Sequence, residues 1–341
     1  MKKGWIYLFT GLVFVMLLAG CGSKTKEEVI QELNKKTEEL KGYKLDAKMT
    51  LTMGNEAQEY QIEVWHNKPE LYRVHMKNAE RDQSQMILRN KEGVYVLTPA
   101  LNKSYKFQSE WPKNSSQPYL YESLVQDLLK DDNAKLTETD KHYVFETKTR
   151  YQYNKMLPLQ EITFNKKDFT PVSVKVMDSD RNVKLAVEFS KAEFNAKFDN
   201  GSFDLNRNMT SAQMEAPVST VEKDANSELT VKIPTEEIAG TTLVDEQEVT
   251  TSNGKRVILT YEGDKAFTLM QEHVEVLETS SMSPTVVKGD PVDLGFTIGA
   301  LTDNSLTWTD GNVEYMIASN NLTKEEMVML AKSVQNVSVE K

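Results

Sequence analysis

Between Tyr43 and Met53 the chain alternates without a break. Tyr43, Leu45, Ala47, Met49, Leu51 and Met53 fall on one side of an extended strand, and Lys44, Asp46, Lys48, Thr50 and Thr52 on the other. A period of two with one apolar and one polar side marks a strand that is covered on one face and wet on the other, as in an antiparallel sheet. The pattern returns at Tyr60, Ile62 and Val64, at Tyr72, Val74 and Met76, at Met86 and Leu88, and at Val94 and Val96. Turn signals at Gly54-Asn55, Asn67-Lys68-Pro69 and Glu92-Gly93 separate the runs. Further strands are expected through Tyr143 and Phe145, Val172 to Val176, and Val183 to Phe189, the last two joined by a polar hairpin at Asp178–Asn182. Strand and helix do not alternate often enough for a doubly wound parallel sheet. The expected fold class is α+β: a long, curved antiparallel sheet with a few helices on its apolar side.

Two helices are expected beside that sheet. Thr25-x-x-Glu28 reads as a capping box, with Val29, Ile30, Leu33 and Leu40 at helical spacing behind it and Gly42 as the stop. Pro118 to Lys130 carries Leu120, Leu124, Leu128 and Leu129. From 206 to 227 the sequence turns polar and aperiodic around Pro217 and reads as a linker. Beyond it strands are expected around Leu229–Ile233, Val257–Tyr261, Phe267–Met270 and Val313–Ile317, with tight-turn dipeptides at Asn253-Gly254 and Asp310-Gly311. Thr323-x-x-Glu326 caps a last helix carrying Met327, Leu330, Ala331 and Val334. Residues 228–341 thus form a smaller C-terminal α+β domain.

The beginning of the chain reads as an address. Lys2 and Lys3 precede an almost uncharged apolar run from Trp5 to Leu18, too short for a comfortable membrane span. It ends in Leu18-Ala19-Gly20-Cys21, which resembles the lipobox of bacterial lipoproteins. The resemblance implies a signal peptide over 1–20, a diacylglyceryl group on Cys21, and a lipidated tether over 21–25. Cys21 is the single cysteine of the chain, so an intramolecular disulfide is excluded. The expected location is the extracytoplasmic face of the cell membrane. A net charge of -10 leaves the lipid rather than a basic face to hold the protein there, and argues against nucleic acid as a partner.

Val64-Trp65-His66-Asn67-Lys68-Pro69-Glu70-Leu71-Tyr72-Arg73-Val74-His75-Met76 resembles the second-to-third strand turn of the LolA family of outer-membrane lipoprotein carriers. Met86-Ile87-Leu88 with Glu92-Gly93-Val94-Tyr95-Val96 and Pro99 resembles that family's next hairpin, and Phe198-Asp199 to Phe203-Asp204-Leu205 its closing segment. The resemblance spans 26–205 and implies an unclosed β-barrel with covering helices, whose concave side holds acyl chains of a lipid or lipoprotein. On that reading Leu45, Met49, Leu51, Ile62, Val64, Tyr72, Val74, Met76, Leu88 and Val96 line the cavity. Lys68 then stands where the family places a lid-holding arginine, without the planar fork of a guanidinium. Leu306-Thr307-Trp308 to Asp310-Gly311-Asn312-Val313-Glu314-Tyr315 resembles the C-terminal module of sporulation lipoproteins of the YdcC type. The two-part layout is also similar to the RseB/MucB regulators, which implies an alternative: an interaction protein that binds an envelope partner without transferring lipid. Lys outnumbers Arg by 34 to 7, as in low-GC Gram-positive sources with no outer membrane to supply.

Enzymatic chemistry has little to stand on. G-x-S-x-G, H-E-x-x-H, Walker A and G-x-G-x-x-G motifs are missing from the sequence, and no cofactor is expected. His66 and His75 flank the Pro69 turn but lack a third metal ligand. Asp178-x-Asp180-x-Asn182 opens like a calcium loop, yet Val183 stands where the loop needs glycine. The methionines expected to face inward, Met49, Met53, Met76 and Met86, suit either flexible lipid tails or plain core packing.

Overall fold

The structure is a computed structural model that describes residues 24–53, 56–78, 83–113, 115–151, 156–215, 229–251, 254–274 and 284–334. It opens with helix α1 (Lys26–Glu39), started by the expected capping box: Thr25 Oγ1 accepts from the Glu28 amide and the Glu28 carboxylate accepts from the Thr25 amide. Val29, Ile30 and Leu33 are its buried face. Thr25→Ala should cost about 1 kcal/mol of stability, read as a lower urea midpoint, while a Thr25→Ser variant should stay close to the parent.

Six strands follow as successive antiparallel neighbours: β1 (Gly42–Met53), β2 (Glu56–Asn67), β3 (Leu71–Asn78), β4 (Ser84–Asn90), β5 (Gly93–Thr98) and β6 (Lys103–Phe107). Gly42 begins β1 rather than merely ending α1. A Cβ at that position would lie 2.3 Å from the His66 carbonyl oxygen, so the close approach of β2 requires glycine. After α2 (Tyr121–Leu129) come β7 (Lys135–Glu138), β8 (His142–Lys148), β9 (Leu159–Asn165), β10 (Pro171–Met177) and β11 (Val183–Phe194). β11 returns to pair with β1, which joins both runs into one sheet. The expected hairpin before β11 is present: the Asp178 carboxylate accepts from the amides of Asp180 and Asn182, at 3.0 and 2.9 Å.

Helix α3 (Leu205–Glu215) occupies the first part of the segment read as a linker, and residues 216–228 lie outside the described residues. Asp204 caps α3 by accepting from the Arg207 amide at 2.8 Å. Met209 and Ala212 bury a narrow stripe against the sheet. The polar composition of the remaining positions hides that stripe from a search for amphipathic periodicity.

The rest of the chain builds a second sheet from β12 (Thr241–Thr251), β13 (Gly254–Gly263), β14 (Phe267–His273), β16 (Asp290–Asp293), β17 (Ile298–Leu301), β18 (Ser305–Asp310) and β19 (Val313–Ala318), with α4 (Lys324–Ser333) packed on it. Its order is β12-β13-β14-β19-β18-β17-β16, antiparallel throughout. The expected strand at Leu229–Ile233 is instead an irregular segment. The Gln271 side chain holds it, donating to the Lys232 carbonyl at 2.6 Å and accepting from the Lys232 amide at 2.9 Å.

Short β15 (Thr285–Val287) crosses back and pairs in parallel with β6, completing a first sheet of 12 strands in the order β15-β6-β5-β4-β3-β2-β1-β11-β10-β9-β8-β7. Its end strands do not meet, so the sheet is open, as expected of an unclosed barrel. The two parts share one continuous apolar core that runs from Val29 of α1 to Val334 after α4.

Candidate functional site

The register across the first sheet defines its two faces. Leu45 pairs with Val64, Val64 with Val74, Val74 with Ile87, and Ile87 with Val96. This row is the inner face, and α1 and α2 lie on it: Leu33 of α1 and Leu124, Val125 and Leu128 of α2 join the same core. Of the residues expected to line a cavity, Leu45, Met49, Leu51, Ile62, Val64, Tyr72, Val74, Met76 and Val96 all lie in this core. Leu88 does not. It pairs with Arg73 and Tyr95 and packs on the outer face with Phe203, Met209 and Ala212.

Met86 shares that outer cluster, so the inward phase assigned to Met86 and Leu88 is corrected by one residue: Ile87 is the one that faces in. The physical reason is α3. By covering the outer face it allows β4 to be apolar on both sides, which erases the alternation on which a phase can be read. Arg73 ties α3 down, donating from Nε to Asn208 Oδ1 at 2.8 Å while its guanidinium lies 4.2 Å from the Trp65 ring centroid.

Over β1 to β4 the inner face is filled by the chain itself. Leu45, Val64 and Val74 are 0% exposed, so no water-sized space adjoins them. Leu294 and Phe296, from the loop between β16 and β17, enter the same core. At Gly295 a Cβ would come within 3.1 Å of the Leu51 side chain, which shows how closely this loop is pressed onto β1. Tyr119 donates to Asp293 at 3.0 Å and anchors it there. Among the expected lining residues, Val96 borders a cavity of about 210 Å³ that lies between the two sheets, walled by Tyr105 and Phe107 on one side and Ile298, Ala300 and Thr307 on the other.

Buried polar groups fasten the covering helices. His66 is stacked on Tyr72 with centroids 4.1 Å apart. Its Nδ1 lies 3.0 Å from the Leu71 carbonyl oxygen and its Nε2 2.9 Å from Glu122 Oε1, at the start of α2. Tyr43 donates to the other Glu122 oxygen at 2.6 Å. Burial pushes the Glu122 carboxyl up, but the hydrogen bond and charge of His66 and the Tyr43 hydroxyl outweigh it and hold the group below its ordinary 4.5.

At the other end of α2, Asp127 accepts from Ser116 Oγ at 2.9 Å, from Gln160 Nε2 at 2.6 Å and from Arg150 Nε. Burial raises the Asp127 carboxyl, and these partners offset only part of that. Lys68, the expected lid contact, reaches α1 and donates to the carbonyls of Thr37 at 2.5 Å and Glu38 at 2.8 Å. A cation at a helix C-terminus meets both orphan carbonyls and the negative end of the helix dipole.

His66 and His75 are not brought together. His66 pairs with Tyr72 on the inner face, whereas His75 pairs with Glu63 and Met86 on the outer one. Among the described residues there is no group of three or more His, Cys, Asp or Glu able to hold a metal ion, and no helix long and apolar enough to cross a membrane. Cys21 lies outside the described residues.

Fold and site together define a two-part α+β protein with an open curved sheet whose apolar face is closed by its own helices. The model of the family "Sporulation protein YdcC-like" matches residues 1–203. Sporulation protein YdcC of Bacillus subtilis is 52% identical over 337 residues, 99% of this chain and 98% of that protein. The chain belongs to the YdcC-like family of sporulation proteins. Among solved structures it is similar to the MucA/MucB complex of Pseudomonas aeruginosa, with 14% identity, 89% of this chain and 98% of that chain covered, and a TM-score of 0.34. It is also similar to a LolA superfamily protein of Nitrosomonas europaea, with 10% identity, 52% and 98% covered, and a TM-score of 0.29.

Proposed function

We propose that this protein is a lipid-anchored, extracytoplasmic interaction protein of sporulation, which binds an envelope protein and catalyses no reaction itself. The observation that carries this reading is that the inner face is closed over β1 to β4, which leaves only the cavity of about 210 Å³ beside Val96. The apolar side chains that a lipid carrier would offer to acyl chains are spent on α1, α2 and the Leu294 loop. What is left to recognise a partner is the outside of the molecule. The membrane attachment rests on Cys21 and the apolar run before it, and on no basic surface.

Crosslinking in intact sporulating cells tests the reading. With crosslinkable residues placed in turn at exposed positions over both sheets, at least one position should yield a discrete adduct with one envelope protein. A protein whose adducts at every position are with abundant membrane proteins in general contradicts it. A Cys21→Ser variant should in addition leave the membrane fraction.

A second reading, binding of an acyl chain, is favoured by one feature: α1 is latched at its end by Lys68. Lifting the helix would open the inner face. Titration with a fluorescent fatty acid decides this reading, which requires saturable binding that strengthens in a Lys68→Met variant.

A further inference from the structure

The two sheets have four end strands, and three of them are blunt. β7 has four residues, β15 three, and β16 four including Pro291. Short edges and proline are the usual protection against pairing with another chain. The fourth, β12, is different. It has 11 residues, pairs among the described residues with β13 alone, and is exposed from Thr242 to Thr250 on both faces. Leu243, Val244 and Val249 are 44%, 49% and 41% exposed.

A strand of that length whose outer rim of N–H and C=O groups meets no other strand among the described residues is a template for an added strand. Its side chains narrow the choice of what is added. Val244 is the extra residue of a bulge, since Leu243 pairs with Tyr261 and Asp245 with Thr260. The register therefore places Leu243, Glu246 and Glu248 on one face and Asp245, Gln247 and Val249 on the other. Each face carries an apolar group and at least one carboxylate. The carboxylates set β12 against a second copy of itself, because like charges brought opposite in a ladder repel. They favour a strand of opposite charge.

We propose, resting on the interaction reading above, that the free edge of β12 is the docking element and that the partner contributes an extended segment bearing Lys or Arg. Basic side chains of that segment face Asp245 and Glu246, and apolar ones cover Leu243 and Val249. Glu248 is already shared with Lys255 at 3.1 Å, so it adds less.

The test uses the full chain in sporulating cells with a photocrosslinking residue at Gln247, and at exposed Lys175 in the first sheet as the comparison position. The expected result is a discrete adduct from position 247. A Glu246→Lys/Asp245→Lys pair should reduce it at least tenfold, and a Val249→Thr variant by less. An unchanged adduct at 247 in the charge-reversed chain overturns the proposed chemistry. A discrete adduct from another position but not from 247 overturns the docking element while leaving the interaction reading in place. Adducts of twice the chain's own mass show a second copy on the edge and also overturn the proposal. The altered side chains are exposed, so an unchanged circular dichroism spectrum and thermal midpoint should accompany each variant.

Discussion

Asp127→Ala should lower stability by about 3–5 kcal/mol, as removal of one partner from a buried ion pair does. Asp127 is 1% exposed, and its carboxylate serves three donors from three places in the chain. Ser116 precedes α2, Arg150 follows β8, and Gln160 belongs to β9. Without the carboxylate the Arg150 guanidinium loses its ion-pair partner and the fully buried Gln160 amide keeps only the Lys148 carbonyl, 3.2 Å away. Asp127→Asn removes a charge that burial disfavours but turns an amide N–H2 toward the donors of Arg150 or Gln160, so it too should destabilise. Urea unfolding followed by circular dichroism reads both. A midpoint for Asp127→Ala within about 0.5 kcal/mol of the parent would show that this cluster does not hold α2 to the sheet.

Glu122→Ala should cost at least about 1–3 kcal/mol, since it strands the buried Tyr43 hydroxyl and takes the carboxylate away from His66 Nε2, 2.9 Å from it. The same pair predicts a pH dependence. Glu122 is held below its ordinary 4.5, so its ionised form is bound more tightly in the folded chain than in the unfolded one. That stabilisation is complete above about pH 4.5 and is lost as the pH falls through the lower folded value. The parent should therefore weaken in acid, and Glu122→Gln should show a shallower loss from pH 5 downward. Parallel curves for the two proteins would place the acid sensitivity elsewhere, for example at Glu146, whose carboxyl the hydrogen bond from Arg181 holds at about 2.

What could be read in advance depended on whether one face of an element met water. β1 did, and Lys44, Lys48 and Thr50 left its phase unmistakable. The caps of α1 and α4 were legible because Thr25 and Thr323 each stand three residues before a glutamate, a local signal that needs no tertiary context. β4 was not legible, because Met86, Ile87 and Leu88 are all buried once α3 covers the outer side. α3 itself offered only Leu205, Met209 and Ala212 behind Asp204. β12 carries no apolar face at all, and so gave no alternation to find. Neither β15 on β6 nor the Leu294 loop against Leu51 could be foreseen, since both join residues far apart in sequence. That loop is also why an apolar row resembling a carrier's lining became core instead. Nine residues of that row lie in the core and Leu88 on the outer face; what fills the row was not visible in its own residues.

Over β1 to β4 the inner face of the first sheet is closed in the native protein. A thiol placed on it measures this directly. Val64 is 0% exposed, and Val64→Cys changes its volume little. Maleimide labelling of this variant, corrected for the native Cys21 with the parent chain, should proceed only as fast as global unfolding allows and should accelerate in step with the urea transition. Labelling in native buffer at a rate near that of an exposed Lys175→Cys control would mean that α1 and α2 lift freely, and that the face is an open trough after all.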